Sequence, residues 1–98
     1  MSDHASDPTV RRLRAEISDL DRAIVDAVNA RLELVAELRR YKLTNDIPFV
    51  DPERERQLLE DLASINRGPL STEGLRELFG ELLDLTKREV TRDGDEPG

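Results

Sequence analysis

The chain has 98 residues, no cysteine and a net charge of −7, with 22 acidic residues against 15 basic ones. This length predicts one small domain, and the lack of cysteine excludes a disulfide framework and a thiolate metal site. An acidic chain without a Lys/Arg cluster argues against nucleic acid or anionic membrane as a partner. No apolar leader and no apolar run of about 18 residues occurs, so the expected compartment is the cytoplasm.

The first predicted element is a long helix that begins at Pro8, after Asp7 as its cap, and ends near Lys42 or Thr44. Its apolar residues recur at alternating spacings of three and four, which is typical of a helix packed lengthwise on another helix. We call these residues the seam: Val10, Leu13, Ile17, Leu20, Ile24, Ala27, Leu34, Leu38 and Tyr41. A helix of roughly 50 Å is too long for the rest of so short a chain to cover. We therefore expect an obligate, intertwined homodimer.

Two shorter helices follow in the predicted fold. Asp51-Pro52 begins one that ends near Ile65, and Gly68 is expected to adopt a left-handed conformation after it. Ser71 caps a third helix, from Thr72 to about Val90. The predicted fold is all-α, with helices of long, short and medium length in a dimeric bundle. Residues 8–90 form this helical domain, between a disordered head (1–7) and a disordered tail (91–98).

Four cationic side chains lie on or beside the apolar faces: Arg14, Arg31, Lys42 and Arg54. Arg31 occupies a seam position, and Lys42 follows it by about three helical turns, on nearly the same side. One interpretation is that these side chains snorkel to solvent or form salt bridges with Asp21, Glu33 or Glu37. Four such cations in an acidic protein favour the other interpretation, which is an anion-binding pocket. Its arginines would form bidentate hydrogen bonds with carboxylates.

Glu55 follows Arg54 at the mouth of this predicted pocket. A single carboxylate beside an anion site can accept a hydrogen bond from a hydroxyl or an amine of the ligand. The sequence offers no Ser/His/Asp set, no metal-ligand cluster and no Gly-rich phosphate loop, so no cofactor is expected. Such a site binds a small dianion, or catalyses a reaction that needs only orientation and charge stabilisation.

These residues resemble the all-helical (AroQ-type) chorismate mutases over roughly residues 10–90. The matching segments are LRAEISDLD from Leu13, Ala30-Arg31, Lys42, DPERERQLL from Asp51, and LFGELL from Leu78. The resemblance implies the Claisen rearrangement of chorismate to prephenate, which leads towards phenylalanine and tyrosine. It also implies an intertwined dimer with two active sites, each enclosed by helices of both subunits.

The resemblance further implies a role for each matching side chain. Arg14, from the neighbouring subunit, and Arg31 would hold the substrate carboxylates, and Arg54 would contribute to the same cationic pocket. Lys42 would donate to the ether oxygen, and Glu55 would accept from the ring hydroxyl. The remaining predicted substrate contacts are the Asp51 backbone, the Thr86 hydroxyl and position 90.

Val90 departs from the family pattern, which places Gln or Glu eleven residues after the position of Phe79 as a second partner of the ether oxygen. Three explanations follow. Another polar group of the third helix, Lys87, Glu89 or Thr91, substitutes; the enzyme is slow and awaits an activating partner protein; or the substrate is a relative of chorismate. The alternative functions are a 4-amino-4-deoxychorismate mutase, an isochorismate pyruvate-lyase, and a non-catalytic module that binds chorismate or prephenate.

Overall fold

The computed structural model describes residues 6–95, and the side chains of residues 6–92. It contains three helices, α1 (Pro8–Thr44), α2 (Pro52–Ile65) and α3 (Thr72–Asp95), and no strand within the described range. The all-α prediction of a long, a short and a medium helix is confirmed. The chain divides into two compact units, residues 1–33 and 34–98, here called the N-terminal and C-terminal units.

The ends of α1 are fixed by local hydrogen bonds. Asp7 Oδ1 accepts from the backbone N–H groups of Thr9 (2.8 Å) and Val10 (3.3 Å), as an N-cap does. At the other end, Asp46 has a positive φ of 55°, and the N–H of Ile47 donates to the Lys42 carbonyl at 2.8 Å. This six-to-one bond around a left-handed residue is a Schellman motif, here with Asp in the position that Gly usually takes.

The predicted caps of α2 and α3 are also present. Asp51 Oδ1 accepts from the Arg54 N–H at 3.1 Å, and Ser71 Oγ accepts from the Gly74 N–H at 2.9 Å. The predicted ends of α1 and α2 agree with the observed ones. Helices α2 and α3 pack against each other within the C-terminal unit.

The prediction of a left-handed Gly68 is wrong, because none of the described glycines has a positive φ. Asn66 ends α2 instead, in an extended conformation (φ −69°, ψ 116°). Its side chain accepts from the Gly68 N–H at 3.2 Å and donates to the Leu70 carbonyl at 2.8 Å. Gly68 precedes Pro69, and a residue before proline is pushed towards extended conformations. Asn66 therefore organises the turn.

The end predicted for α3 is also corrected, because the helix continues five residues past Val90, to Asp95. Arg92 pairs with Glu89 at 3.0 Å, three residues earlier on the helix surface. One Gly within TRDGD costs a helix only about 1 kcal/mol, which is too little to end it. Residues 91–95 of the predicted disordered tail are thus helical, whereas 96–98, and residues 1–5 of the predicted head, lie outside the described residues.

Burial differs sharply along the chain. Neither α1 nor α2 contains a fully buried residue, and the buried side chains among the described residues are Leu75, Thr86 and Val90 of α3, each 4% exposed. Most large apolar residues of the seam are exposed in the single chain. Among the described residues, no helix is long and apolar enough to cross a membrane.

Candidate active site

The predicted site residues are distributed over both units. Arg14 and Arg31 belong to α1 in the N-terminal unit, where Arg14 is exposed and Arg31 is half-buried. The C-terminal unit holds the other six: Lys42, Asp51, Arg54, Glu55, Thr86 and Val90. Three of these six come from the start of α2, two from α3 and one from the last turn of α1.

The start of α2 sets the backbone of three predicted site residues. Asp51 accepts from the Arg54 N–H through its side chain and from the Glu55 N–H, at 3.1 Å, through its carbonyl. Pro52 fixes the first helical position. Both acceptor groups of Asp51 therefore hydrogen-bond to the first turn of α2, which fixes the position of its backbone.

Lys42 is half-buried against the loop that joins α1 to α2. Its Nζ donates to the Phe49 carbonyl at 3.2 Å, and the Arg39 guanidinium lies 6.0 Å from the centre of the Phe49 ring. An ammonium group carries three donors, so this hydrogen bond leaves two for other acceptors. The loop thus orients the Lys42 side chain without exhausting its donors.

Glu55 and Lys87 form an ion pair between α2 and α3. Lys87 Nζ lies 2.8 Å from Glu55 Oε1, and the side chains of Lys87 and Glu55 are 38% and 26% exposed, respectively. Glu55 is a site residue predicted from the sequence, whereas its pairing with Lys87 is not among the predicted contacts. A signal was present, because Lys87 lies four residues after Leu83 and three before Val90, at the edge of the inner face of α3.

Thr86 and Val90 lie one helical turn apart and are both buried. The Thr86 hydroxyl donates to the Leu82 carbonyl at 2.7 Å, so its oxygen has the role of an acceptor towards any further group. Val90 offers only methyl groups. The buried face of α3 therefore has one hydroxyl and no donor at position 90.

Three of the predicted site cations differ from the arginines that form ion pairs along the helix surfaces. Arg12, Arg22 and Arg56 pair with acids three or four residues away on the same helix. Hydrogen bonding to Glu53 and the nearby charge of Glu60 raise the pKa of Arg56, although burial opposes the shift. By contrast, no carboxylate among the described side chains lies within ion-pair distance of three of the predicted site cations: Arg14, Lys42 and Arg54.

This pattern disfavours the salt-bridge interpretation for those three side chains and leaves them as candidates for binding an anion. Within the C-terminal unit, Glu55 forms an ion pair with Lys87, and Lys42 donates a hydrogen bond to the loop before Asp51. The contribution of Arg14 and Arg31 to the same site stays a prediction. Among the described residues, no group of three or more His, Asp or Glu side chains is placed to hold a metal ion.

Comparison with known families gives a match to the family model for chorismate mutase type II over residues 13–90. A bifunctional chorismate mutase/prephenate dehydratase from Stutzerimonas stutzeri is 32% identical over 79 residues, covering 76% of this chain and 22% of the relative. The chain thus spans about a fifth of the length of that relative. A 4-amino-4-deoxychorismate mutase from Streptomyces venezuelae is 36% identical over 55 residues, covering 56% of this chain and 52% of the relative.

Comparison with solved structures gives similar proteins of nearly the same length. Form II of the chorismate mutase from Thermus thermophilus is 31% identical, with a TM-score of 0.82, and the match covers 86% of this chain and 96% of that one. Form I is 32% identical with a TM-score of 0.78, over 80% of this chain and 98% of that one. The three-helix fold is therefore shared with nearly the whole of these two chorismate mutase chains.

Proposed function

The chain belongs to the chorismate mutase type II family, and we propose that it catalyses the Claisen rearrangement of chorismate to prephenate. The observation that carries this proposal is the match to nearly the whole of the Thermus thermophilus chorismate mutase at 31% identity. The matched segment includes every predicted site residue. The proposed enzyme works without a cofactor in aromatic amino-acid biosynthesis, and its proposed compartment is the cytoplasm.

The side-chain inventory fits this reaction. In the rearrangement, the ether C–O bond breaks while a new C–C bond forms within the same molecule, so no proton or group leaves the substrate. Catalysis then needs a folded substrate conformation and cations facing the negative charge that develops on the ether oxygen. The proposed site supplies cations and hydrogen bonders, and it needs no nucleophile.

We assign Lys42 as the donor to the ether oxygen. Its hydrogen bond to the Phe49 carbonyl supports this assignment, since it orients the ammonium group and leaves two donors available. In the same proposal Arg14, Arg31 and Arg54 bind the two carboxylates, and Glu55 accepts from the ring hydroxyl. The Asp51 N–H and the Thr86 hydroxyl make further contacts.

Position 90 then has no second donor to the ether oxygen. Among the polar groups nearest to it on α3, Glu89 pairs with Arg92, Thr91 is exposed, and the ion pair with Glu55 directs the Lys87 ammonium towards α2. Losing one such donor costs about 2.7–4 kcal/mol of transition-state stabilisation where a site is built around it. We therefore propose a slow enzyme that relies on Lys42, and an activating partner protein is one way to raise its rate.

The proposed enzyme is a homodimer joined along the seam. The exposed seam residues of the N-terminal unit, Leu13, Ile17, Leu20 and Ile24, support this assignment. A contiguous apolar stripe of this length is rarely left open to water, and a second copy of the same helix matches its spacing. The neighbouring subunit would also supply Arg14 to the site.

A second candidate substrate is 4-amino-4-deoxychorismate. It is favoured by the similarity to the Streptomyces venezuelae mutase and by Val90 in place of the usual donor. The two substrates differ in one ring substituent, a hydroxyl or an amino group, which is the substituent that Glu55 faces in this proposal.

The direct test is the loss of chorismate absorbance on adding purified protein, followed by acid conversion of the product to phenylpyruvate. The proposal requires both signals. Persistence of chorismate would contradict it, and the assay would then be repeated with 4-amino-4-deoxychorismate and isochorismate. Pyruvate released from isochorismate would identify a lyase, and binding of chorismate without turnover would identify a regulatory module.

A further inference from the structure

The ion pair between Glu55 and Lys87 has no part in the reaction described so far. It joins the first turn of α2 to the buried face of α3, with 2.8 Å between Lys87 Nζ and Glu55 Oε1. Lys87 directly follows Thr86 and lies one turn before Val90. A lysine with a defined partner therefore lies beside the acid that the proposed function assigns to the ring substituent.

The pair changes what Glu55 offers to a ligand. A carboxylate has about four lone-pair positions, so Glu55 can accept from Lys87 and from a ligand hydroxyl at the same time. A ring ammonium would be attracted by Glu55 but repelled by the ammonium of Lys87, and this repulsion offsets part of the attraction. Without Lys87, the carboxylate would favour the charged substituent.

We propose that Lys87 is a specificity-determining residue, which makes the site select a ring hydroxyl over a ring ammonium. The substrate class is then the hydroxyl-bearing dianion, chorismate, rather than 4-amino-4-deoxychorismate, whose amino group is protonated near neutral pH. This inference rests on the proposed function, because it takes Glu55 to contact the ring substituent. Lys87 acts through Glu55 and through its own charge, without touching the reacting atoms.

The test compares kcat/KM for the two substrates in wild type, Lys87→Met and Lys87→Arg. Methionine keeps most of the length of the side chain and removes its charge, and we expect the preference for chorismate to fall about fivefold or more. Lys87→Arg keeps the charge and should stay near the wild-type ratio. Arg88→Met is the matched control, since it removes one charge from an exposed neighbouring position and should leave the ratio unchanged.

A second variant is expected to shift the ratio in the opposite direction. Glu55→Gln leaves the Lys87 charge without its partner, so the relative activity on the ammonium substrate should fall further than that on chorismate. Circular dichroism checks that each variant is folded. If Lys87→Met lowers both activities by the same factor, Lys87 has a structural or directly catalytic role and the inference is wrong.

Binding measurements separate this inference from the proposed function. Calorimetric titration with chorismate and with 4-amino-4-deoxychorismate gives a ratio of Kd values whether or not the protein turns either one over. A shift of that ratio by about fivefold in Lys87→Met supports the selectivity even if no prephenate forms, in which case only the mutase proposal fails. An unchanged Kd ratio overturns the role of Lys87, and binding of neither substrate overturns both proposals.

Discussion

The seam of α1 and the buried face of α3 use their apolar residues differently. In the C-terminal unit, α2 and α3 pack on each other, and Leu75, Thr86 and Val90 are buried within the single chain. In the N-terminal unit, the residues with the most regular apolar spacing, such as Ile17 and Ile24, remain exposed. A regular seam without cover indicates a surface meant for another helix, whereas the face of α3 finds its cover within its own unit.

Among the variants that test this contrast, we expect the largest loss in the free energy of unfolding for a substitution at Ile24. Ile24 and Val25 are neighbours with nearly equal exposure, 59% and 58%, but only Ile24 belongs to the seam. If a second copy covers the seam, Ile24→Asp buries an unpaired charge and lowers the free energy of unfolding of the dimer by about 4 kcal/mol or more. Val25→Asp should change it by less than about 1 kcal/mol.

Sedimentation velocity and thermal unfolding of the two variants check this prediction. We expect Ile24→Asp to be monomeric or unfolded and Val25→Asp to remain dimeric. If the two variants have the same oligomeric state and the same unfolding temperature, the seam is not the dimer interface and the prediction is wrong.

A smaller loss in the free energy of unfolding is expected for a substitution in the buried face of α3. Leu75→Ala leaves a cavity at a residue that is 4% exposed, and we expect a loss of about 2–4 kcal/mol in the free energy of unfolding. Leu78→Ala, on the same helix at 55% exposure, is the control and should lose less than half as much. Denaturant titration measures both. Equal losses would mean that a second copy covers α3 as well, and the contrast between the seam and the face of α3 would not hold.

The smallest loss of stability among these variants is expected for a substitution at Val90. The same substitution is expected to raise activity. Val90→Gln adds the missing donor and should raise kcat about tenfold, while burying an amide costs about 1–3 kcal/mol of stability. Val90→Met has a similar length without the amide and controls for packing. Steady-state kinetics on chorismate checks the prediction. A gain in both variants, or in neither, would show that the lack of a donor does not limit the rate.

The helices could be predicted from the sequence because their signals are local. Asp7, Asp51 and Ser71 each cap the helix predicted to begin after them, and the seam spacing predicts one continuous α1. The errors lie where two local signals compete. Pro69 overrides the tendency of Gly68 to be left-handed, and α3 continues to Asp95 through a segment with the composition of a tail.

The site could be predicted less completely, because its geometry depends on contacts between distant residues. Residue types and spacing predict that Glu55 contacts a polar group of the ligand beside a cation, and this stays a prediction. The partner of Glu55 is Lys87, on another helix, and the partner of Lys42 is the backbone of Phe49. Neither contact follows from periodicity, since both depend on how one segment packs against the next.

In the proposed homodimer, two copies of the chain build each active site together, and mixing two inactive variants tests this claim directly. Arg14→Ala and Arg31→Ala should each inactivate the proposed homodimer without unfolding it, because each removes a cation that is proposed to bind a substrate carboxylate. When the two variants are unfolded together and refolded in equal amounts, about half of the dimers contain one of each, and one of the two sites in such a dimer has both arginines. We predict recovery of about a quarter of wild-type chorismate turnover in the refolded mixture. No recovery from a mixture that sediments as folded dimers would contradict the claim.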